Sequence, residues 1–291
     1  YCQCAVIVCV FLIYFVFFAV VPVAAQQAPN DSAQEQEEQS EEDELGEGID
    51  AILLMDGSAS MRLTDPKRLR DQGARLFTEF LRQGDRLAIL EFSADVKAIR
   101  PLTPYVPELS YQVQQQIARV GDSGQYTDLL AGIKAAGDLL RGSRSKSRRS
   151  AVIMFSDGKM EPAPEYGTPE GSKQRLLEEV LPALRRDGVR VHTLAFSEHA
   201  DKDLLANVSR MTNGGHAFAP TIQGLRKSYR NLFLSIKKPQ VLPLTKKGFP
   251  VDSGVEEATF YINREGSNSD IVIEAPTGKR YTKDKKPRSV K

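Results

Sequence analysis

The sequence predicts an α/β domain built on a doubly wound, mainly parallel sheet flanked by helices, and three observations predict it. Short apolar runs alternate along residues 48–237 with segments whose apolar positions recur at helical spacing. The runs Ile49 to Met55 and Ala151 to Phe155 are continuous, as expected of strands covered on both faces. Each is followed at once by small polar residues, Asp56-Gly57-Ser58 and Ser156-Asp157-Gly158, at the strand ends where such a sheet collects its functional groups.

Taken in order, Ile49 to Met55 is the first strand. A helix is predicted from about Pro66, with Asp65 as its N-cap and Leu69, Leu76, Phe77, Phe80 and Leu81 on its apolar side. Arg86 to Phe92 is the next strand, and Val96 to Ile99 alternates as an exposed edge strand does. Residues 106–119 suggest a helix of modest amphipathicity. Another helix starts near Asp128, carries Leu129, Ile133, Ala136 and Leu140, and stops at Gly142. After the strand Ala151 to Phe155, a helix from about Lys173 presents Leu176, Leu177, Val180, Leu181 and Leu184 and closes at Gly188. The strand Val189 to Phe196 follows, then a helix from Asp201 to Met211, a turn at Asn213-Gly214-Gly215 and a short strand near 216–219. A last helix with Leu225, Tyr229, Leu232, Phe233 and Ile236 ends before Pro239. This alternation implies parallel strands joined by right-handed crossovers, with helices on both faces.

The flanks read differently. Residues 1–25 are expected to be a signal peptide, or else an N-terminal membrane anchor: residues 4–23 are uncharged and apolar, and Val23-Ala24-Ala25 offers small residues for cleavage. Tyr1 in place of Met gives the expectation that the start is missing. All three cysteines, Cys2, Cys4 and Cys9, fall in this segment, so the exported chain would rely on neither disulfides nor thiol chemistry. Residues 26–47 are rich in Gln, Glu and Ser and lack aromatics, the composition of an acidic disordered linker. Residues 238–291 carry apolar or alternating stretches at 258–263 and 270–274, the turn Pro276-Thr277-Gly278, and a further stretch at 279–282. They are expected to begin a small β-sandwich-like domain that continues past residue 291. A C-terminal anchor, if the chain has one, is expected there too. The formal net charge of +1 argues against nucleic-acid binding.

The chemistry is expected where the strands end. Asp56, Ser58 and Ser60 follow the first strand, Asp157 follows the later buried strand, and Thr127 opens the helix between them. Two carboxylates and three hydroxyls make an oxygen-only site suited to a hard cation such as Mg²⁺, with Mn²⁺ or Ca²⁺ as alternatives. The competing explanation is that these residues are ordinary caps and turn formers.

The spacing Asp56-x-Ser58-x-Ser60, with Thr127 and Asp157, resembles the metal-ion-dependent adhesion site of von Willebrand factor A domains, and exported bacterial members of that family in particular. The resemblance spans residues 48–237, including the order of strands and helices. It implies that Ser58, Ser60 and Thr127 touch the metal, that Asp56 and Asp157 act largely through water, and that a partner's Asp or Glu carboxylate completes the octahedron. It also implies an extracytoplasmic module for adhesion or assembly. On this reading the chain is not an enzyme, and it associates with the membrane through its N-terminal segment or a missing C-terminal anchor.

Other chemistries find less support. His192, His199 and His216 are scattered, and no nucleophile elbow, phosphate-binding loop or dinucleotide fingerprint occurs. A Mg²⁺-dependent hydrolase would require a further base, and a structural subunit stabilised by its metal is the third alternative. The basic stretch Arg141 to Arg149 reads as a solvated loop. The segment Lys159 to Ser172 leaves the Asp157 strand end, and Glu161, Glu165 or Glu170 within it are candidates to fill the partner's position or shape partner choice.

Overall fold

The computed structural model describes residues 48–143, 145, 147–237, 272–274 and 280–281. The apolar N-terminal segment, the acidic linker and most of residues 238–291 lie outside the described residues.

Strands β1 (Gly48–Asp56), β2 (Arg86–Phe92), β3 (Val96–Pro104), β4 (Arg148–Phe155), β5 (Val189–Ala195) and β6 (His216–Phe218) form one sheet in the order β3-β2-β1-β4-β5-β6. All pairs are parallel except the edge pair β2–β3, which is antiparallel. The mainly parallel architecture expected from the sequence is therefore the one found. β1 can sit at the centre because both of its faces are apolar. Ala51, Leu53 and Met55 enter the core on one side, Ile52 and Leu54 the core on the other, and none is exposed.

The first core is closed by α2 (Leu69–Thr78) through Leu69, Ala74 and Phe77, by α3 (Ser110–Ile117) through Val113 and Ile117, and by α8 (Ile222–Lys237) through Leu225, Leu232 and Ile236. The second is closed by α4 (Leu129–Gly142) through Leu129, Ile133, Ala136 and Leu140, and by α7 (Lys202–Met211) through Leu204, Leu205 and Val208. It also receives Leu176, Leu181 and Leu184 from the helical stretch formed by α5 (Pro169–Arg175), a π-helical turn (Leu176–Val180) and α6 (Leu181–Arg186). Each such Leu, Ile, Val or Phe contributes about 1.5–3 kcal/mol when fully buried.

Several boundaries differ from the sequence expectation. The stretch Arg141 to Arg149, expected as a solvated loop, is divided: Arg141 lies in the last turn of α4, while Arg148 and Arg149 open β4, with Arg148 Nε donating to Asp50 at 2.6 Å. A helical turn, α1 (Met61–Thr64), precedes α2, which starts at Leu69 rather than at Pro66. Asp65 does cap α2, its carboxylate accepting from the amides of Leu69 at 2.5 Å and Arg70 at 3.1 Å, but Arg68 at φ 49° breaks the helical path in between. Phe80 and Leu81 fall beyond the end of α2. β3 continues to Pro104. The helix expected from Lys173 begins at Pro169, because Thr168 caps it by accepting from the Gly171 amide at 3.1 Å. The π turn ends at Val180, two residues before Pro182, which lacks the amide a regular helix needs and crowds the carbonyl one turn back.

At the N-terminal edge of the sheet, buried Asp50 receives Arg86 Nε at 2.7 Å and Arg148 Nε at 2.6 Å. Burial raises its pKa, but the two guanidinium groups outweigh that and hold the carboxyl below its ordinary range. Ile273–Glu274 (β7) and Arg280–Tyr281 (β8) pair antiparallel on either side of Pro276-Thr277-Gly278, while residues 258–263 lie outside the described residues. Among the described residues no helix is long and apolar enough to cross a membrane.

Candidate metal centre

Strand order reverses between β1 and β4, where the crevice of a doubly wound sheet opens. Register pairs Met55 with Phe155, so Asp56 and the Ser156-Asp157 step leave the sheet side by side at its C-terminal edge. Asp56 Oδ1 accepts from the Ser58 amide at 2.9 Å, and Oδ2 accepts from the Ser156 hydroxyl at 2.6 Å. Ser156 Oγ accepts in turn from the Gly158 amide at 2.9 Å. The hydroxyls of Ser58 and Ser60 lie 3.0 Å apart. Asp157 Oδ1 accepts from the Lys159 amide at 3.2 Å, and the Thr64 hydroxyl lies 3.1 Å from both Asp157 Oδ2 and the Ser60 carbonyl.

Thr127 arrives on the segment that precedes α4. Gly124 in that segment donates to the Gly57 carbonyl at 3.0 Å and accepts from the Ala59 amide at 2.7 Å. A Cβ at Gly124 would stand 2.3 Å from Ser93 Cβ and 3.1 Å from the Gly57 oxygen, so this approach requires glycine. Thr127 exchanges both backbone hydrogen bonds with Glu161, at 2.7 and 3.0 Å. Asp128 caps α4, its carboxylate accepting from the Ala131 amide at 2.8 Å.

The five expected residues therefore lie on three segments tied together at one edge of the sheet. Of the three glutamates singled out on the following segment, Glu161 is joined to Thr127 through its backbone, with its side chain exposed. Glu165 lies in the 3₁₀ turn Pro164–Tyr166 and Glu170 in the first turn of α5, both exposed. Neither forms a hydrogen bond or ion pair with the five among the described residues.

The electrostatics separate this cluster from a set of plain turn formers. Asp56 and Asp157 do make local turn bonds, but Asp56 is 0% and Asp157 2% exposed, and among the described residues no basic side chain pairs with either. Burial, then the neighbouring Asp157 charge, pushes the Asp56 carboxyl up to about 6. Two uncompensated carboxylates beside three hydroxyls form a donor set that fits a hard cation, whose charge would relieve this repulsion. Among the described residues no three His, Cys, Asp or Glu side chains cluster closely enough to hold a metal, so hydroxyls have to supply much of any coordination here.

Ser156 and Thr64 hold the second oxygens of the two aspartates, and sequence reasoning gave neither a role. Ser156 stood in the Ser-Asp-Gly triplet, which was the available signal; nothing local marked Thr64. Two of the histidine rings are engaged elsewhere: His192 Nδ1 accepts from the Gly215 amide at 3.0 Å, and His216 Nδ1 lies 2.8 Å from the Thr193 hydroxyl.

Comparison with solved structures gives the same fold at low identity. BatB from Bacteroides thetaiotaomicron matches with a TM-score of 0.52 at 13% identity, covering 66% of this chain and 100% of that one. Proximal thread matrix protein 1 from the mussel byssus matches with a TM-score of 0.51 at 19% identity over 66% of this chain and 48% of its own. That mussel protein is also solved with zinc occupying its metal-ion-dependent adhesion site. The PilB minor pilin of Streptococcus sanguinis matches with a TM-score of 0.51 at 14% identity over 66% of this chain and 62% of its own. Comparison with curated proteins gives no match. The von Willebrand factor type A domain family model matches residues 50–230, nearly the whole span from β1 into α8, and the chain belongs to that family.

Proposed function

We propose that this is a non-enzymatic, exported interaction module that binds a protein partner through a divalent cation, Mg²⁺ by preference, held by Asp56, Ser58, Ser60, Thr127 and Asp157. The observation that carries the reading is the pair of buried aspartates with no basic partner among the described residues at the strand-order switch, beside the Ser58–Ser60 hydroxyl pair. In this arrangement the hydroxyls of Ser58, Ser60 and Thr127 face the cation directly. Asp56 and Asp157, each already accepting two hydrogen bonds, act mainly through water. Neutral hydroxyls leave the cation short of negative charge, so an Asp or Glu carboxylate from a partner is the natural last ligand.

Fold relatives include a thread matrix protein with zinc at its adhesion site and a pilin, which agrees with adhesion or assembly outside the cytoplasm. The accompanying scheme is an export segment at residues 1–25, a spacer at 26–47, the interaction domain at 48–237 and a β-rich segment after it. Membrane association would run through the first of these or through a C-terminal anchor.

Panning a library of short peptides on the immobilised protein in Mg²⁺, with elution by EDTA, tests the reading. Recovered peptides are expected to share an Asp or Glu and to lose binding to Asp157→Ala. Binders that ignore both EDTA and the substitution would contradict it, as would Mg²⁺-dependent turnover of phosphoesters abolished by the same change.

A further inference from the structure

The geometry points to Arg68 as a positioning residue for the proposed cation site, at the centre of a three-arginine staple that holds the segment leading to Thr127. The inference rests on the cation reading above. Arg68 touches none of the five donor side chains. Its Nη2 donates to the Val120 carbonyl at 2.8 Å, and its Nη1 lies 3.6 Å from the Asp122 carboxylate. Asp71 fixes the guanidinium itself, accepting from Nε at 2.7 Å and Nη2 at 3.1 Å. Arg70 Nη2 donates to the next carbonyl, Gly121, at 3.0 Å, and Arg62 Nε reaches Asp122 at 3.3 Å. Three consecutive residues, 120 to 122, are thus gripped by side chains from the stretch that follows Ser60.

Two features show that ordinary helix packing does not account for this staple. Arg68 holds φ 49°, a left-handed conformation that costs energy for any residue with a side chain. Arg70 is 0% exposed, and among the described residues its Nε and Nη1 have no hydrogen-bond partner; its charge faces Asp65 at 3.7 Å and Asp71 at 3.9 Å. Both are unfavourable locally, and both direct guanidinium groups at one short segment.

That segment has a demanding task. It must place Gly124 against Gly57 and Ala59 and then carry the chain to Thr127, whose backbone pairs with Glu161. A cation the size of Mg²⁺ wants its oxygens at about 2.0–2.1 Å in near-octahedral array, so slack in the path from Val120 to Thr127 translates into lost affinity.

The experiment compares wild type, Arg68→Gly, Arg68→Lys and Asp122→Asn, measuring Mg²⁺ affinity by calorimetry and amide exchange of the metal-free proteins. Glycine accepts the left-handed backbone, so Arg68→Gly is expected to keep its metal-free melting temperature while its Mg²⁺ Kd weakens about ten- to hundredfold. Faster exchange at the Gly124 and Thr127 amides accompanies that loss, and Arg68→Lys recovers part of the affinity. Asp122→Asn weakens the same grip from the loop side and shows a smaller change in the same direction, which serves if Arg68→Gly fails to fold. Wild-type Kd and unchanged exchange in folded Arg68→Gly, or in Asp122→Asn should the glycine variant not fold, overturn the staple alone. Absence of Mg²⁺ binding by the wild type overturns the cation reading and this inference with it, a distinguishable result.

Discussion

Asp56 and His192 are both fully buried, and burial drives each toward its neutral form with different consequences. For Asp56 the raised carboxyl sits in a donor set that a cation can enter. For His192 there is no such relief: burial, then the positive charge of Arg190, pushes the imidazole down to about 3, and its Nε2 has no hydrogen-bond partner among the described residues. Unfolded, that ring titrates near 6.5, so below this value the unfolded state takes up a proton that the folded state refuses. Stability from this residue is complete above about pH 6.5 and falls with acidification toward pH 3, by roughly 2–3 kcal/mol at pH 4.5. In urea melts, His192→Asn should lose that much less between pH 7.5 and 4.5 than wild type; equal losses would show that the ring is not held neutral. The five candidate donors of the proposed site were legible as candidates in the sequence because each stands at a strand or helix end marked by its neighbours. Ser156 and Thr64 were not, since their roles depend on contacts with Asp56 and Asp157 across 100 and 93 residues of chain.

At the scale of elements, apolar periodicity located every strand and the longer helices of the sheet domain but not the short turns Met61–Thr64 and Pro164–Tyr166, while boundaries moved where a single residue overrode the pattern. Asp65 illustrates both outcomes. It caps α2 as its position suggested, yet the cap reaches over Pro66 to Arg68, because the left-handed Arg68 separates the capping side chain from the first helical residue. Asp65→Ala is expected to reduce stability by about 1–2 kcal/mol through the lost cap, with more lost as Arg70 gives up its nearer carboxylate; urea melts measure it. Gly124 is the tightest point between the metal-loop segments. Gly124→Ala should cost about 1–3 kcal/mol of stability and weaken Mg²⁺ binding together, because the added methyl meets Ser93 and the Gly57 carbonyl. A fully stable variant with intact binding would show that the close approach is not required. The start of the helix at Pro169 was hidden because Thr168-Pro169 lies in a Pro-, Gly- and Glu-rich stretch that reads as loop until the cap is seen.

Across the whole molecule, the sheet order assigns different tasks to its two ends. At the N-terminal edge Asp50 is neutralised by Arg86 and Arg148, so the ionic group there is internally balanced. At the C-terminal edge Asp56 and Asp157 are buried with no basic partner among the described residues, and the imbalance falls at the strand-order switch. The fold class was readable from alternation alone, but this contrast was not, because it requires knowing which strands are neighbours. The central claim, that the second edge holds a divalent cation, is tested most directly by thermal melts with and without Mg²⁺ for wild type and Asp157→Ala. At free Mg²⁺ about a hundredfold above its Kd, linkage gives roughly 2.7 kcal/mol, equivalent to a rise of roughly 5–10 °C for a domain this size, absent in Asp157→Ala. An unchanged wild-type melting temperature in Mg²⁺, Mn²⁺ and Ca²⁺ alike would contradict the account.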